Sequence, residues 1–195
     1  MATTFVLVRH GETDWNRERR FQGHADVALN DEGRRQAHEL ADALADETFA
    51  AAYSSPLRRA LETAEIVTAR LGISFEVSDG LMEVDVGSWS GLTTAEVEQR
   101  FPDGFSHWAE TRAGGWTDGE TYDELGERVV ADLLEIAKRH TGERVLAVTH
   151  GGPIRSVLAA VAGLSFASGR TKIGFVENCE VVRVVVREGK IEGVD

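Results

Sequence analysis

Two short apolar runs in this chain each end in a histidine followed by glycine. Phe5-Val6-Leu7-Val8 delivers Arg9-His10-Gly11, and Val145-Leu146-Ala147-Val148 delivers Thr149-His150-Gly151-Gly152. Such runs read as buried strands. A strand end that presents an arginine beside an imidazole offers an anion clamp and a nucleophile together. A third run, Ala50 to Tyr53, leads through Ser54-Ser55-Pro56 into Arg58 and Arg59. Ligands of open α/β sheets bind beyond the carboxyl ends of the strands, so these groups can converge on one site.

Guanidinium groups gathered in one pocket repel one another and lose hydration, a conflict that an anion resolves. The planar fork of arginine matches phosphate oxygens, and helix starts near Pro56 and Pro153 add backbone N–H groups and positive dipole ends. Phosphate is the natural ligand. Neighbouring arginines also disfavour imidazolium, which keeps a ring nitrogen of His10 free to attack phosphorus. The departing oxygen then needs a proton. Glu83, in Leu81-Met82-Glu83-Val84-Asp85-Val86-Gly87, follows an apolar segment and is the candidate acid, with Asp85 as its rival.

The elements that must position these residues alternate between apolar runs and helical periodicity, the pattern of an α/β domain with a mostly parallel sheet. Asn30 can cap a helix that carries Ala37, Leu40, Ala41 and Leu44 on one face. Ser55-Pro56 reads as N-cap and first turn of a helix running to Leu71 and closing at Gly72. Phe75 and Val77 suggest a short edge strand. From Glu83 to Thr121 the periodicity breaks apart from a capping box at Thr93 to Glu96, so this stretch reads as an excursion beside the sheet, a lid at about 84–121. A second capping box, Thr121 to Glu124, opens a long helix through Leu125, Val129, Leu133 and Ile136 that ends near Gly142. Pro153 starts the next helix, and a loop is expected from Gly169 to Asn178. Val181 to Val186 and Lys190 to Val194 close the chain as a hairpin.

The 195 residues, 42% of them apolar, suit one domain over 1–195. A net charge of −12 argues against broad binding to nucleic acid or anionic membranes, so any phosphate site is a local basic pocket. Cys179 is the single cysteine, no Cys/His spacing resembles a zinc site, and neither a signal peptide nor a membrane span is evident. A cytoplasmic location is expected.

In sequence order, Leu7-Val8-Arg9-His10-Gly11-Glu12-Thr13, Asn16, Ser54-Ser55-Pro56-Leu57-Arg58-Arg59-Ala60 with Thr63-Ala64, Glu83 with Gly87, Trp89 and Gly91, and Thr149-His150-Gly151-Gly152 resemble the histidine phosphatase superfamily, the phosphoglycerate-mutase-like proteins. The likeness spans almost the whole chain. It implies a three-layer α/β/α sandwich with an antiparallel edge to the sheet. It further implies a phosphohistidine on His10, phosphoryl binding by Arg9, Arg59 and His150, proton donation by Glu83, and substrate contacts at Asn16, Gln22 and Gly151. The arginine before Ala60 is the one that matches, which selects Arg59 over Arg58. No metal and no other cofactor is implied.

The activity so implied is that of a histidine acid phosphatase-type phosphoric monoester hydrolase acting on a small phosphorylated metabolite. One alternative is a cofactor-dependent phosphoglycerate mutase using the same phosphohistidine, for which the chain looks too compact. The other is a non-catalytic phosphate-binding protein, against which the complete residue set argues. The rest of the substrate is expected against the Val84 to Thr121 excursion and the loop from Gly169 to Asn178, where Phe101, Phe105, Trp108, Arg112 and Trp116 can form a wall, although packing is the default role of Trp89, Trp108 and Trp116. Arg58 reads as a solvated helix residue, Cys179 as a space filler, and His24, His38, His107 and His140 have no assigned role. Dimers are frequent among similar proteins, and an edge strand could pair in a homodimer.

Overall fold

Along the first strand, β1 (Thr3–Arg9), Phe5 and Leu7 enter one hydrophobic core while Val6 and Val8 enter a second, and all four are buried. A strand hidden on both faces requires helices above and below it. The computed structural model, which describes residues 1–193, shows how the chain supplies them. After β1 come α1 (Asp14–Arg17), α2 (Asp31–Ala43), β2 (Ala51–Ser54), α3 (Arg58–Leu71) and β3 (Glu76–Val77). Then follow α4 (Thr94–Arg100), α5 (Pro102–Thr111), α6 (Tyr122–Arg139), β4 (Arg144–Thr149), α7 (Gly151–Val161), α8 (Phe166–Lys172), β5 (Val181–Arg187) and β6 (Lys190–Gly193).

The strands lie in the order β3-β2-β4-β1-β5-β6. The first four run parallel, β5 pairs antiparallel with β1, and β6 pairs antiparallel with β5. Helices α2 and α3 cover the face of Val6, Val8, Ala52, Leu146 and Val148 through Leu40, Ala41, Leu44, Ala60, Ala64 and Val67. On the other face Leu125, Val129, Leu133 and Ile136 of α6 and Ile154 and Val157 of α7 pack on Phe5, Leu7, Tyr53, Val145 and Ala147. This is the expected α/β/α sandwich with its antiparallel edge. The register Arg9↔Thr149 brings the carboxyl ends of β1 and β4 level, so that His10 and His150 leave adjacent strands at one edge of the sheet.

Local chemistry sets the boundaries. The Asn30 side chain accepts the Gly33 N–H at the start of α2, and Thr121 and Glu124 satisfy each other's backbone donors at the start of α6. Gly72 ends α3 in the left-handed region at φ 68°. The hairpin turn holds Glu188 and Gly189 at φ 51° and 74°, the positive pair that matches the twist of the strands. Val194, expected in the last strand, lies outside the described residues.

Four expectations need correction. Helix α3 starts at Arg58 with Leu57 as N-cap, because the Ser55 hydroxyl is engaged by His150 and accepts the Leu57 N–H in a buried turn. Helix α7 starts at Gly151 with His150 as N-cap, and Pro153 sits two residues further in, at the third helical position, where its missing N–H would have no intrahelical partner. The excursion is more ordered than its broken periodicity suggests: it holds α4 and α5, with Pro102 at the start of α5. Part of the loop expected at 169–178 is helical, since α8 reaches Lys172.

One close approach positions the site. Helix α2 presses its first turn against the backbone that follows His10, and a Cβ on Gly33 would collide with the Glu12 carbonyl oxygen, as one on Gly11 would with the Gly33 carbonyl. Gly33→Val is therefore expected to lower stability by about 1–3 kcal/mol through overpacking. Urea unfolding of the variant checks this, and an unchanged midpoint would contradict the close fit.

Candidate active site

The edge of the sheet beyond β1, β2 and β4 gathers four charged or titratable groups that are almost wholly out of solvent. Relative exposure is 7% for Arg9, 2% for His10, 1% for Arg59 and 0% for His150. The His10 backbone is pinned on both sides, its N–H donating to the Thr149 carbonyl (3.0 Å) and its carbonyl accepting from the Asn178 side chain (2.8 Å).

The tautomer of His10 follows from its partners. Nδ1 lies 2.7 Å from the Gly11 carbonyl, which can only accept, so Nδ1 carries the proton and Nε2 keeps a lone pair. Nε2 in turn accepts from Arg59 Nε at 3.3 Å. Burial first, and then the Arg59 and Arg9 guanidiniums, hold His10 well below its ordinary value of 6.5. The ring is thus neutral, and its one in-plane lone pair is engaged only by the long 3.3 Å contact from Arg59 Nε, which has to pass to a phosphoryl oxygen before Nε2 can bond to phosphorus.

Arg59 is fixed by the backbone of the 23–25 turn, donating from Nη2 to Gly23 (2.8 Å) and from Nη1 to Ala25 (2.9 Å). Burial lowers its pKa to about 10, against the pull of Glu83 in the opposite direction. Arg9 donates from Nη1 to the Val176 carbonyl (2.7 Å) and stacks under Phe175, while its buried Nε has no partner. The His150 ring centre lies 5.1 Å from that of His10. Its Nε2 meets Ser55 Oγ at 2.8 Å, and its Nδ1 is buried without a partner. Among the described residues Ser55 Oγ has no other acceptor in reach, so its proton is directed to Nε2 and His150 Nδ1 becomes a second orphaned donor. Leaving such a donor unpaired costs about 1–3 kcal/mol, which an anion resting against both would recover.

Glu83 faces this cluster across a cavity of about 250 Å³ that His10, Arg9, Arg59, Asn16, Gln22 and Gly152 also line. Its oxygens accept from the Val84 and Gly152 N–H groups at 2.9 and 3.2 Å, and a Cβ on Gly152 would run into the carboxylate. Asp85 instead accepts from Gly87 N–H and does not line the cavity, which separates the two candidate acids. The buried Thr13 hydroxyl stands 3.1 Å from both Asn16 Oδ1 and Gln22 Oε1, leaving their NH₂ groups as the donors for the cavity. Gly151 adjoins Arg9 rather than the cavity itself and opens α7, where its N–H lacks an intrahelical acceptor.

Among the residues read as bystanders, Arg58 pairs with Glu62 on the surface, Trp89 is fully buried, and Trp116 packs against it. Of the expected wall only Trp108 lines the cavity. Phe101 and Phe105 join the core, and Arg112 lies over Trp108. Sequence reasoning missed Arg20, Phe21 and Tyr122; Arg170 and Phe175, which also line the cavity, lie in the 169–178 segment expected beside the substrate, although neither residue was singled out there. It also missed His24, whose Nε2 holds the Glu83 carbonyl at 2.7 Å.

A fold of this order with a buried histidine and arginines at the strand ends defines a phosphoryl-handling α/β protein, and comparison with known proteins gives the family. The model for the histidine phosphatase superfamily (branch 1) matches residues 5–194, and the chain belongs to that superfamily. It is 43% identical over 159 residues to phosphoglycerate mutase-like protein 4 of Arabidopsis thaliana, covering 78% of this chain and 68% of that protein. With a metal-independent phosphoserine phosphatase of Arabidopsis thaliana it shares 40% identity over 174 residues, 85% of this chain and 71% of the relative. Among solved structures, a mycobacterial glucosyl-3-phosphoglycerate phosphatase superposes with a TM-score of 0.86 at 29% identity, over 98% of this chain and 96% of that one. No helix among the described residues is long and apolar enough to cross a membrane.

The two neutral imidazoles couple the site to pH. Burial holds His150, like His10, well below 6.5, so the folded chain binds fewer protons than the unfolded one at mildly acidic pH. Stability then falls as pH drops below about 6.5. Thermal unfolding of the ligand-free protein should show Tm decreasing from about pH 7.5 to about pH 5.5, and His150→Gln should flatten that slope. A Tm that rises over this interval would contradict the neutral assignments.

Proposed function

We propose that the chain is a phosphomonoesterase of small phosphorylated metabolites that works through a phosphohistidine on His10. The observation that carries this reading is the lone pair of His10 Nε2, held beside Arg59 with the orphaned donors of Arg9 and His150 close by. In the first step Nε2 attacks phosphorus as the bond to the ester oxygen breaks, and Glu83 gives that oxygen its proton, releasing the alcohol. In the second, the Glu83 carboxylate takes a proton from water, the water oxygen bonds to phosphorus, and the N–P bond breaks to give inorganic phosphate and free His10. Arg9, Arg59 and His150 hold the equatorial oxygens throughout, with Asn16 and Gln22 donating from the opposite wall and the Gly151 N–H at the helix start.

Hydrolysis of a phosphate monoester needs rate enhancements up to about 10²¹, and preorganised cationic donors out of water are the means the site offers. The lowered pKa of His10 keeps the nucleophile unprotonated into mildly acidic solution, which suits the histidine acid phosphatase type of chemistry. Ser55 is excluded as a rival nucleophile by its contacts: its Oγ is committed to His150 Nε2 and the Leu57 N–H, and it does not line the cavity. The names of two relatives, the metal-independent phosphoserine phosphatase and the glucosyl-3-phosphoglycerate phosphatase, support phosphatase over mutase action.

His10→Ala is expected to abolish phosphate release, Arg59→Ala to lower kcat/KM by about 3 kcal/mol, or about 10²-fold, and Glu83→Gln to slow esters of poor leaving groups far more than p-nitrophenyl phosphate. Steady-state kinetics with both ester types reads all three. Near-normal turnover by His10→Ala would refute the assignment, and transfer of phosphate between the hydroxyls of a primed phosphoglycerate faster than its release would favour the mutase.

A further inference from the structure

The backbone that carries Glu83 joins no strand and no helix beyond a single 3₁₀ turn at Asp79–Leu81, yet each of its carbonyls from Asp79 to Glu83 accepts from a side chain. Thr149 Oγ1 donates to the Leu81 carbonyl at 2.6 Å. The others all accept from one guanidinium, that of Arg128 on α6: Nη1 reaches Asp79, Gly80 and Met82 at 3.2, 3.0 and 3.2 Å, and Nη2 reaches Glu83 at 3.4 Å. Irregular backbone answered so completely by side chains is held in one conformation.

The plane of this guanidinium is fixed in turn. Glu120 accepts from Nε at 2.8 Å and from Nη2 at 2.7 Å, a bidentate pairing that leaves the fork little freedom to rotate, and both side chains are largely withdrawn from solvent. The Glu120 N–H donates to the Asp85 carbonyl at 2.8 Å, and its own carbonyl accepts from Trp116 Nε1 at 2.8 Å. Glu83 is therefore bracketed, with Arg128 on the backbone that leads to it and Glu120 on the backbone that leaves it. One turn further along α6, Asp132 accepts from Ser78 Oγ at 2.8 Å, and a Cβ on Gly80 would collide with the Asp132 side chain. Every N–H of Arg128 is committed within the protein and Arg128 does not line the cavity, so it has no fork to offer a substrate.

We propose that Arg128, locked by Glu120, is a positioning residue for the acid: it sets where the Glu83 carboxyl stands relative to the ester oxygen and itself touches neither substrate nor phosphorus. The inference rests on the phosphomonoesterase reading above, in which Glu83 protonates the leaving group. A proton donor works only within hydrogen-bond reach of the atom it serves, and a misplacement of about 1 Å can cost about 10²-fold in rate. Loosening the 79–83 backbone therefore harms the steps in which Glu83 moves a proton and spares the cationic clamp on the phosphoryl group.

The test compares kcat/KM for glycerol 3-phosphate, whose alkoxide must be protonated as it leaves, with that for p-nitrophenyl phosphate, whose phenolate need not be. This ratio ends at release of the alcohol, so slower hydrolysis of the phosphoenzyme leaves it unchanged and shows instead as a burst of p-nitrophenol. Arg128→Met should lower kcat/KM for glycerol 3-phosphate by about tenfold to about 10²-fold and that for p-nitrophenyl phosphate by about threefold or less. Added to Glu83→Gln, where no acid remains to be placed, Arg128→Met should change neither ester by more than about threefold. Equal losses with the two esters, or additive losses in the double variant, would overturn the positioning role. Glu83→Gln alone separates the two failures: if it does not slow the alkyl ester selectively, the acid assignment of the reading above fails, and if it does so while Arg128→Met does not, only the positioning role falls. Where Arg128→Met does not fold, Arg128→Lys, which keeps a charge for Glu120 but cannot span the carbonyls, decides the question by the same pair of esters.

Discussion

Arg9 and Arg59 are withdrawn from water at the end of a parallel sheet, and no ion pair among the described residues holds either of them there. Burial lowers the pKa of both, and the carboxylate that opposes this, Glu83, stands across a cavity rather than in contact. The fold bears that cost through backbone carbonyls: Gly23 and Ala25 accept from Arg59, and Val176 accepts from Arg9. Carbonyl oxygens orient a guanidinium without neutralising it. Positive charge is therefore kept at full strength where an anion can reach it, in a medium where each interaction is stronger than in water. Everything else about the site follows from this: the neutral His10, the orphaned donors, and the need for a compact helix start on either side.

The same constraint accounts for what was legible in the sequence. Strands β1 and β4 are buried on both faces and so appear as unbroken apolar runs, and the residues just past them, His10 and His150, are where a parallel sheet must place its chemistry. Capping residues marked α2 and α6 because their hydrogen bonds are local. Arg59, by contrast, could not be told from Arg58 by helical spacing. The distinction lies in which side chain turns inward to the 23–25 carbonyls, a tertiary fact, and the family resemblance supplied it.

The mouth of the cavity was the least legible part. Arg20 and Phe21, Tyr122, and Arg170 and Phe175 come from three separate stretches, and most carry an ordinary local role, Arg20 as an ion pair, Phe21 and Tyr122 in the core and Arg170 at a helix end, while Phe175 stands exposed beside Arg9. No periodicity links them. The aromatic residues of the excursion were conspicuous for their size, yet Phe101, Phe105 and Trp116 serve to pack Trp89 and its surroundings, leaving Trp108 to face the cavity. Composition shows that a segment has much to bury and leaves open on which side it buries it.

The central claim is that His10 Nε2 takes the phosphoryl group, and it is tested most directly by catching the intermediate. Protein mixed with a ³²P-labelled monoester, quenched within a turnover and digested under alkaline conditions, should carry label on the peptide containing His10, lost in acid and stable in base. Label on any other residue, or phosphate release at full rate with no labelled protein at any quench time, would contradict the account.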